Sequence, residues 1–430
     1  MELLLEHTDG ADPVLPYLSV RDASLAAPPP GATGGSRPSS SLIIAGDLYW
    51  PSVRDDEEQT QFADGEHPWN PFVSLIAAQD LSIVNMESPL TDATEAITKA
   101  GPKMRSLPSF AAEITAGGFG VLSLANNHIR DFDDQGIADT LATCREVGIA
   151  TVGAGQTIDE AEAPALVPCG DLKVALVAAA ESGPAAAGRR RAGGAPLRNG
   201  SAHACVAQAA ASADAVVVLL HAGNEFYPFP APHVVEQARS FARAGAAAVV
   251  VHHQHVPSGV EVFEGVPIAY GTGNFLFRMY YPYRVCEFHE GYLVRLSFSG
   301  ATLCGFDLFP YFQSRGQRRV EIMGDEDVRS LVSRIAARSN VLADDELLER
   351  EWRRFCLHER ARYLTALLGM SRFERRLVRL LGIWPWWRMR PEKVAALTNL
   401  LSTQSHREVA ITILNEELER AGTPHKTTTV

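Results

Sequence analysis

The sequence contains little that points to disulfides, membranes or nucleic acids. Its six cysteines include no CxxC pair, which argues against a zinc knuckle or a redox motif. No apolar run reaches the roughly 18 residues that a membrane span requires, and the acidic segment Met1–Pro13 lacks the basic and apolar parts of a signal peptide. Acidic residues outnumber basic ones by 51 to 39, so a nucleic-acid partner is not expected. These absences predict a cytoplasmic protein that does not insert into membranes.

The distribution of glycine, proline and apolar residues predicts four regions. Residues 1–40 form an N-terminal arm that ends in a Pro/Gly/Ser linker, PPPGATGGSRPSSS. Residues 41–323 alternate short β-branched runs with helical patterns, which is typical of an α/β domain. Residues 324–421 contain almost no glycine and have the pattern of successive helices, which predicts an all-helical C-terminal domain. Residues 422–430 have the composition of a disordered tail.

Strands of the predicted α/β domain repeatedly end on a polar side chain. Two Val-rich runs end at His221 and His252, and earlier apolar runs lead into Asp47, into Glu87, and into Asn127 with His128. Open α/β sheets bind ligands at the carboxyl ends of their strands, and buried polar groups are favourable there only if they share a partner. His253 and His255, with one residue between them, place both rings on the same side of an extended chain. Carboxylates, an amide and imidazoles together suit one or two divalent metal ions, without distinguishing Mn, Fe, Zn, Mg and Ca.

The order of these positions is that of a known family. The sequence resembles the bacterial capsule-synthesis (CapA, poly-γ-glutamate) family, a divergent branch of the calcineurin-like metallophosphatases, over about residues 41–310. Seven motifs carry the resemblance: AGD at Ala45–Asp47, NMESPLTD at Asn85–Asp92, SLANNHIRDFDDQGIADTL at Ser123–Leu141, VGAG at Val152–Gly155, HAGNEF at His221–Phe226, HHQHVPSGVEVFEG at His252–Gly265 and YGTGNFLF at Tyr270–Phe277. The resemblance implies a metallophosphatase-like four-layer α/β/β/α sandwich.

The resemblance also implies a role for each polar position. Asp47 and His255 bind one metal ion, Asn127, His221 and His253 bind a second, and Glu87 bridges the two. His128 lies beside the ions as an acid/base or oxyanion-stabilising group. The sequence departs from the family pattern where Tyr49 replaces the histidine of an Asp-x-His start, and where His252 and Gln254 replace a glycine and a proline.

Further residues are predicted around the ions. His128, Asp131 and His252 form the predicted catalytic set, and Lys103, Glu225 and Asn274 form the predicted substrate-binding set. Lys103 either contacts a substrate carboxylate or is solvated. Glu225 contacts the substrate or the ligand residues, or is a carboxylate at a helix start. Asn274 is also suited to fixing its own loop by hydrogen bonds to the backbone.

Three functions are compatible with such a site. We place first the inversion of a Cα centre (L to D) in a ribosomally made, lasso-type precursor peptide, because a cytosolic branch similar to this family is associated with that reaction. A metal ion that binds the carbonyl oxygen stabilises the enolate-like transition state, and bases such as His128 or His252 with Asp131 transfer the proton. The alternatives are hydrolysis of a phosphoester or amide and a role in capsule or poly-γ-glutamate assembly. A peptide is the expected partner, through the helical C-terminal domain.

Overall fold

The computed structural model describes residues 1–8, 13–25, 39–51, 67–99, 101–181, 183–197, 200–278, 286–314 and 318–367, together with Phe373, Arg376 and Leu380. The strands are β1 (Glu2–His7), β2 (Pro16–Arg21), β3 (Ser40–Tyr49), β4 (Leu81–Met86), β5 (Val121–Ser123), β6 (Ala150–Val152), β7 (Ala154–Gly155), β8 (Ala165–Cys169), β9 (Leu172–Ala180), β10 (Gly193–Gly194), β11 (Ala215–His221), β12 (Ala248–His252), β13 (Val260–Phe263), β14 (Val266–Ala269), β15 (Asn274–Phe277), β16 (Glu290–Ser299), β17 (Thr302–Gln313) and β18 (Val320–Ile322). The helices are α1 (Asn70–Ala77), α2 (Phe110–Ala116), α3 (Asp133–Val147), α4 (Ile158–Glu162), α5 (Ser201–Ala210), α6 (Pro232–Arg243), α7 (Asp325–Leu342) and α8 (Asp345–Leu367).

The first sheet contains ten strands and mixes parallel with antiparallel pairs. Its order is β1-β2-β17-β16-β3-β4-β5-β6, with β15 added beside β3 and β18 beside β17. β3, β4, β5 and β6 run parallel because α1, α2 and α3 provide the crossovers between them. β15 is also parallel to β3 and places Asn274 opposite Asp47.

The second sheet has six strands in the order β13-β14-β12-β11-β9-β8. Its central strands β9, β11, β12 and β14 are parallel, and the edge strands β13 and β8 are antiparallel to their neighbours. Every residue of β11, AVVVLLH, is buried. A continuous apolar run of this kind is typical of a parallel strand that is covered on both faces.

The two sheets pack face to face, and helices cover their outer faces. Side chains of both sheets, such as Ile44, Ile83, Leu176 and Leu219, share one core. A second core joins the outer face of the first sheet to α1, α2 and α3, while α5 and α6 contact the second sheet. Each fully buried Leu or Ile contributes about 1.5–3 kcal/mol to this packing. The arrangement confirms the predicted four-layer α/β/β/α sandwich.

Two regions that the sequence set apart from the α/β domain pack with it. β1 and β2, in the predicted N-terminal arm, pair with each other, and β2 pairs with β17. α7, which its pattern assigned to the C-terminal domain, buries Val328, Leu331 and Ile335 in the core that the two sheets share. The compact unit that holds both sheets comprises Met1–Ala96 and Gly101–Arg350, so it extends past the boundary predicted at residue 324. A helical pattern alone does not distinguish a helix packed on a sheet from one in a separate domain.

A second compact unit comprises Ile97–Ala100 and Glu351–Val430. Its described residues 351–367 form the second part of α8, and the sequence predicted a helix there. Beyond residue 367, apart from three single positions, the predicted helices and the predicted tail at 422–430 lie outside the described residues. No helix in the described ranges combines the length and the apolar character needed to cross a bilayer.

Candidate metal centre

Strand ends from both sheets meet at one edge of the sandwich. In the first sheet, Asp47 lies near the end of β3, Glu87 follows β4, and Asn127 lies beyond β5. In the second sheet, His221 ends β11, and His253 follows β12. The sequence predicted a shared edge, and the structure divides that edge between two sheets. The carboxylates therefore come from one sheet and the imidazoles from the other.

An irregularity in β3 sets the position of the Asp47 carboxylate. The pairing of β3 with β4 shifts register between Ala45 and Asp47, as in a β-bulge that redirects a side chain. Gly46 has no room for a side chain, because a Cβ there would collide with the carbonyl of Gly273. The backbone N–H of Asp47 donates to that carbonyl at 3.2 Å. Only glycine allows β3 and the segment before β15 to approach this closely.

The predicted ligands come together in two overlapping groups. One group is Asp47, Glu87 and His255, and the other is Glu87, His221 and His253; within each group the ligand atoms lie within 4.8 Å of one another. Asn127 adjoins the second group, since its Oδ1 is 3.0 Å from Nε2 of His221. Donors about 2.1 Å from one ion lie some 3–4 Å apart, so each group has the size of one ion's ligand set. Glu87 belongs to both groups, as a bridging ligand would.

The surroundings of Glu87 test whether these residues fit a cation. The residue is 0% exposed, and in the described part of the chain neither carboxylate oxygen has a hydrogen-bond partner. The nearby histidine atoms are Nε2 of His221 and of His255, at 3.4 and 3.9 Å from Oε1. A buried carboxylate without hydrogen bonds is costly, and a bound divalent ion would offset that cost. The residues therefore fit one or two divalent metal ions, whose identity the donor set does not determine.

Asp47 is buried and close to the charge of Glu87. Its Oδ1 accepts a hydrogen bond from Nδ2 of Asn85 at 2.7 Å, and its Oδ2 accepts one from the backbone N–H of His253 at 3.2 Å. Burial, followed by repulsion from Glu87, raises the pKa of Asp47 to about 6. A cation bound to this carboxylate would act in the opposite direction, because it favours the ionised form.

Burial keeps two of the imidazoles neutral. It lowers the pKa of His221 and that of His253 well below the usual 6.5, and neighbouring histidines lower both further. A neutral imidazole retains the electron pair that a metal ligand requires. For His255, burial lowers the pKa, but the charges of Glu87, Asp47 and Glu225 and the hydrogen bond with Asn274 together raise it overall.

Asn274 orients His255. Its Nδ2 donates to the carbonyls of His255 and Phe288 at 3.2 and 3.1 Å, and its Oδ1 lies 2.8 Å from Nδ1 of His255. Because an amide oxygen only accepts, Nδ1 of His255 donates this hydrogen bond, and Nε2 is the ring nitrogen on the side of Glu87. The Asn274 side chain is fully buried. These contacts favour the loop-fixing alternative for Asn274, and its contact with a substrate stays a prediction.

His128 and Asp131 form a buried pair just before α3. Nδ1 of His128 lies 2.7 Å from Oδ2 of Asp131, which also accepts the backbone N–H of Met104 at 2.7 Å. Oδ1 of Asn126 accepts the backbone N–H of His128 at 3.0 Å. Burial, followed by neighbouring histidines that include His128, lowers the pKa values of both His221 and His253. The pair therefore lies beside the ligand group that contains those two histidines.

His252 faces away from this pair. Its ring is buried at the end of β12, with Nε2 3.1 Å from the carbonyl oxygen of Ala45. Burial lowers its pKa, so the ring is a neutral donor to a backbone carbonyl. This contact favours a structural role for His252, and the acid/base role stays a prediction. His253 follows β12 with a positive φ of 94°, and it is the one that joins the ligand groups.

The two charged residues of the predicted substrate-binding set are both exposed. Lys103 directly precedes Met104, whose N–H holds Asp131. Glu225 has a carboxylate oxygen within 4.8 Å of ring nitrogens of His253 and His255. Their contacts with a substrate stay predictions.

Asn85 and Asn126 are site residues that the sequence reasoning missed. Nδ2 of Asn85 lies 2.7 Å from Oδ1 of Asp47 and 3.4 Å from Nδ1 of His221, so it links one member of each ligand group. Asn126 donates from Nδ2 to the carbonyl of Met86 at 2.8 Å and so ties the His128 segment to β4. The available signal was a polar residue in an apolar run: β4 is buried throughout and still contains Asn85.

A four-layer α/β/β/α sandwich with carboxylates and imidazoles at its strand ends defines a metallophosphatase-like protein. The family model described as "Bacterial capsule synthesis protein PGA_cap" matches residues 41–279, and the chain belongs to this family. The match includes every residue of the two ligand groups, the His128–Asp131 pair and Asn274. This family membership confirms the resemblance drawn from the seven motifs.

Named relatives match part of the chain. The chain is 33% identical over 226 residues to a probable polyglutamine synthesis accessory protein of Mycobacterium tuberculosis (strain H37Rv). This alignment covers 49% of this chain and 60% of that protein. The chain is also 33% identical over 162 residues to PGA biosynthesis protein CapA of Bacillus subtilis (strain 168), and this alignment covers 37% of this chain and 43% of that protein. The chain thus spans only about half the length of these relatives. A crystal structure of a hypothetical protein from Thermus thermophilus aligns at TM-score 0.37 and 13% identity, over 63% of this chain and 99% of that one.

Proposed function

We propose that the protein is a metal-dependent enzyme acting on a peptide, in which His128 transfers a proton beside the metal centre. The observation that carries the proposal is the 2.7 Å contact between Nδ1 of His128 and the buried carboxylate of Asp131. The backbone N–H of Met104 fixes that carboxylate, so the imidazole has one orientation. A His–carboxylate pair of this kind is suited to general acid/base catalysis.

The pair determines which nitrogen of His128 is reactive. Oδ2 of Asp131 accepts the N–H of Met104 and faces Nδ1 of His128, so Nδ1 is the nitrogen that donates and Nε2 is the base. Divalent ions bound by the ligand groups would polarise a carbonyl or phosphoryl oxygen of the substrate. His128 would then accept a proton from a substrate atom next to that carbonyl or phosphoryl group, or return a proton to it.

The reaction we place first is epimerisation of one residue of a ribosomally made, lasso-type precursor peptide. The Cα–H bond breaks, the proton moves to Nε2 of His128, and the electron pair is delocalised onto the adjacent carbonyl oxygen. Water on the opposite face of the carbon then donates a proton to it, which gives the D residue, and His128 releases the proton it took to solvent. The sequence predicted His128 or His252 as one base and Asp131 as the other, but His252 faces Ala45 and Asp131 is hydrogen-bonded to His128. The proposal therefore uses His128 as the single protein base, with exchange of its proton with water.

Hydrolysis of a phosphoester or amide is the second candidate, favoured by the presence of one acid/base pair on one side of the ligand groups. A protonated His128 would donate its proton to the leaving group, and that reaction needs no second base. The names of the relatives, which refer to polyglutamine synthesis and to PGA biosynthesis, add a polyglutamate chain to the candidate substrates.

One experiment separates these reactions. The protein is incubated with Mn²⁺ in deuterated water, in parallel with a mixed peptide library, with poly-γ-glutamate and with bis(p-nitrophenyl) phosphate. Epimerisation predicts one deuteron at a single Cα and a D residue on chiral amino-acid analysis. Hydrolysis predicts new peptide or glutamate fragments, or release of p-nitrophenol.

The matched variants are His128→Asn and His7→Asn. We expect His128→Asn to lower either activity by about 10²–10⁴-fold, the range of general acid/base catalysis. His7→Asn, on exposed β1, should leave the activity unchanged. An activity that survives His128→Asn would contradict the proposed role of His128, and unchanged substrates in every arm with wild-type protein would contradict the proposed enzyme.

A further inference from the structure

Glu225 belongs to a third group of potential metal ligands at the outer side of the centre. Its carboxylate and ring nitrogens of His253 and His255 all lie within 4.8 Å of one another. We call the two ligand groups described above the inner groups: His255 belongs to the one with Asp47, and His253 to the one with His221. Glu225 is exposed and belongs to neither. We propose that Glu225 is a metal ligand that binds an ion of the centre jointly with His255, and that it does not form a separate third site. The inference rests on the proposed metal-dependent function, which it deepens.

The orientation of the His255 ring limits the number of ions. Asn274 is anchored by donating Nδ2 to two backbone carbonyls, so its Oδ1 faces Nδ1 of His255 at 2.8 Å. Nδ1 is therefore engaged by Asn274, and it also lies 3.4 Å from Oδ2 of Asp47, which leaves Nε2 as the ring nitrogen that can face a metal ion. Nε2 lies 3.9 Å from Oε1 of Glu87. An ion held by Glu225 and His255 is consequently the ion of the Asp47 group or a replacement for it, and the total stays at two.

The backbone on which Glu225 lies is fixed to the histidine loop. The N–H of Phe226 donates to the carbonyl of Gln254 at 2.8 Å, between the two histidines. Phe226 has a φ of 61°, in the left-handed region that non-glycine residues rarely adopt. Its ring lies 5.8 Å from the ring of His255. These contacts hold the neighbouring Glu225 toward the histidines, and residues kept in such sparsely populated conformations cluster at functional sites.

The inner group that contains Asp47 has fewer metal-ligand atoms than the inner group that contains His221. It contains Asp47, Glu87 and His255, whereas the His221 group has the additional oxygen of Asn127. Tyr49, two residues after Asp47, has its ring against Phe277, with centroids 5.3 Å apart, in an apolar cluster. Divalent ions such as Mn²⁺ and Mg²⁺ prefer more than three donors, with carboxylate oxygens favoured. Glu225 supplies such an oxygen on the side that is open to solvent.

Metal titration of substrate-free protein tests the inference. Protein stripped with EDTA is titrated with Co²⁺, and binding is followed by calorimetry and by the visible absorption of bound cobalt. The variant is Glu225→Gln, which keeps shape and removes charge. Glu236→Gln is the matched control, because Glu236 is an exposed glutamate on α6 that belongs to none of the ligand groups.

Wild-type protein and Glu236→Gln should bind two ions with the same affinities and the same cobalt spectrum. Glu225→Gln should bind one ion as the wild type does and the other about 10–100-fold more weakly, with a changed spectrum for that ion. Glu225→Asp should recover part of the lost affinity, because it restores a carboxylate.

Three results would overturn the inference. Wild-type affinities and spectrum in Glu225→Gln would show that Glu225 is no ligand. A third ion that binds wild type and is lost in Glu225→Gln would show a separate site. Wild-type protein that binds no ion would contradict both this inference and the metal-dependent function. Weaker binding in Glu225→Gln together with no turnover of any substrate would instead support the ligand and contradict only the proposed reaction.

Discussion

At the scale of single residues, Glu87 is the side chain that the fold alone does not explain. It is fully buried, it belongs to both inner ligand groups, and in the described part of the chain its oxygens accept no hydrogen bond. A folded protein gains nothing from a carboxylate in that position unless a cation binds it. Glu87 therefore gives the strongest single reason to expect metal.

Replacing Glu87 by glutamine should abolish the centre while leaving the fold. The amide has the same shape but no charge, so both ions lose their common ligand. We expect metal affinity to fall by at least about 100-fold, a larger loss than that from altering a residue behind the ligands. Elemental analysis after gel filtration measures it, with Glu236→Gln as control. Full metal content in Glu87→Gln would contradict the role of Glu87 as a shared ligand.

Asp47 makes the stability of the metal-free protein depend on pH. Its pKa in the folded chain, about 6, is raised above the ordinary value of 3.8. The folded chain then binds more protons than the unfolded chain between those values, so the contribution of Asp47 to stability falls as pH rises through this window. We expect metal-free wild type to lose stability relative to Asp47→Asn between pH 4 and pH 6. Denaturant unfolding of both EDTA-treated proteins measures the difference, and a difference that does not change with pH would contradict the shift.

At the scale of structural elements, the loop between β12 and β13 carries two ligands and is held from several sides. His253 and His255 have φ values of 94° and 57°, so the loop is not extended. Phe226 and Asn274 hold it through hydrogen bonds to Gln254 and His255. From α7, Arg338 donates to the carbonyl of Pro257, and Oγ of Ser339 accepts the N–H of Val260 at 2.9 Å. α7 is thus a support for the ligand loop.

Removing the Arg338 side-chain charge should loosen this support. Arg338 is 7% exposed, and its guanidinium also donates to Glu287 at 2.7 Å. Breaking a buried ion pair typically costs 3–5 kcal/mol, and because the Glu287 side chain is 28% exposed we expect about 2–3 kcal/mol for Arg338→Met. Urea unfolding measures it against Arg329→Met, an exposed position on the same helix. Equal stability of the two variants would contradict the supporting role.

The same loop shows what the sequence could and could not predict. The strand ends at Asp47, Glu87 and His221 were readable, because apolar runs that stop at a polar residue are local patterns. The convergence of His253 and His255 was predicted for a reason that is wrong, since their backbone has left-handed φ values and not an extended form. The facing of His252 to Ala45 and the approach of Asn274 to His255 depend on contacts between distant segments. No periodicity in a single sequence reports such contacts.

At the scale of the whole molecule, the metal centre joins two sheets. Asp47 and Glu87 come from the first sheet, and His221 and His253 from the second. An ion bound by both sets crosslinks the sandwich only when it is folded. The family match ends at residue 279, so β16, β17 and α7 pack with the matched domain without belonging to the match.

Metal removal should therefore lower the melting temperature of the sheet-containing unit. Binding to the folded state alone stabilises by RT ln(1 + [L]/Kd), which is about 2.7 kcal/mol at a free ion concentration 100 times Kd. Adding Mn²⁺ to EDTA-treated protein should raise the melting temperature of the wild type in differential scanning calorimetry. It should leave Glu87→Gln unchanged, and an equal rise in both proteins would place the bound ion elsewhere.

Anomalous X-ray diffraction from crystals equilibrated with millimolar Mn²⁺ tests the central claim most directly. The two ligand groups predict two anomalous peaks on either side of the Glu87 carboxylate. One peak should lie between Asp47 and His255, and the other between His221 and His253. The absence of any peak within bonding distance of Glu87 would contradict the claim that these strand ends form a metal centre.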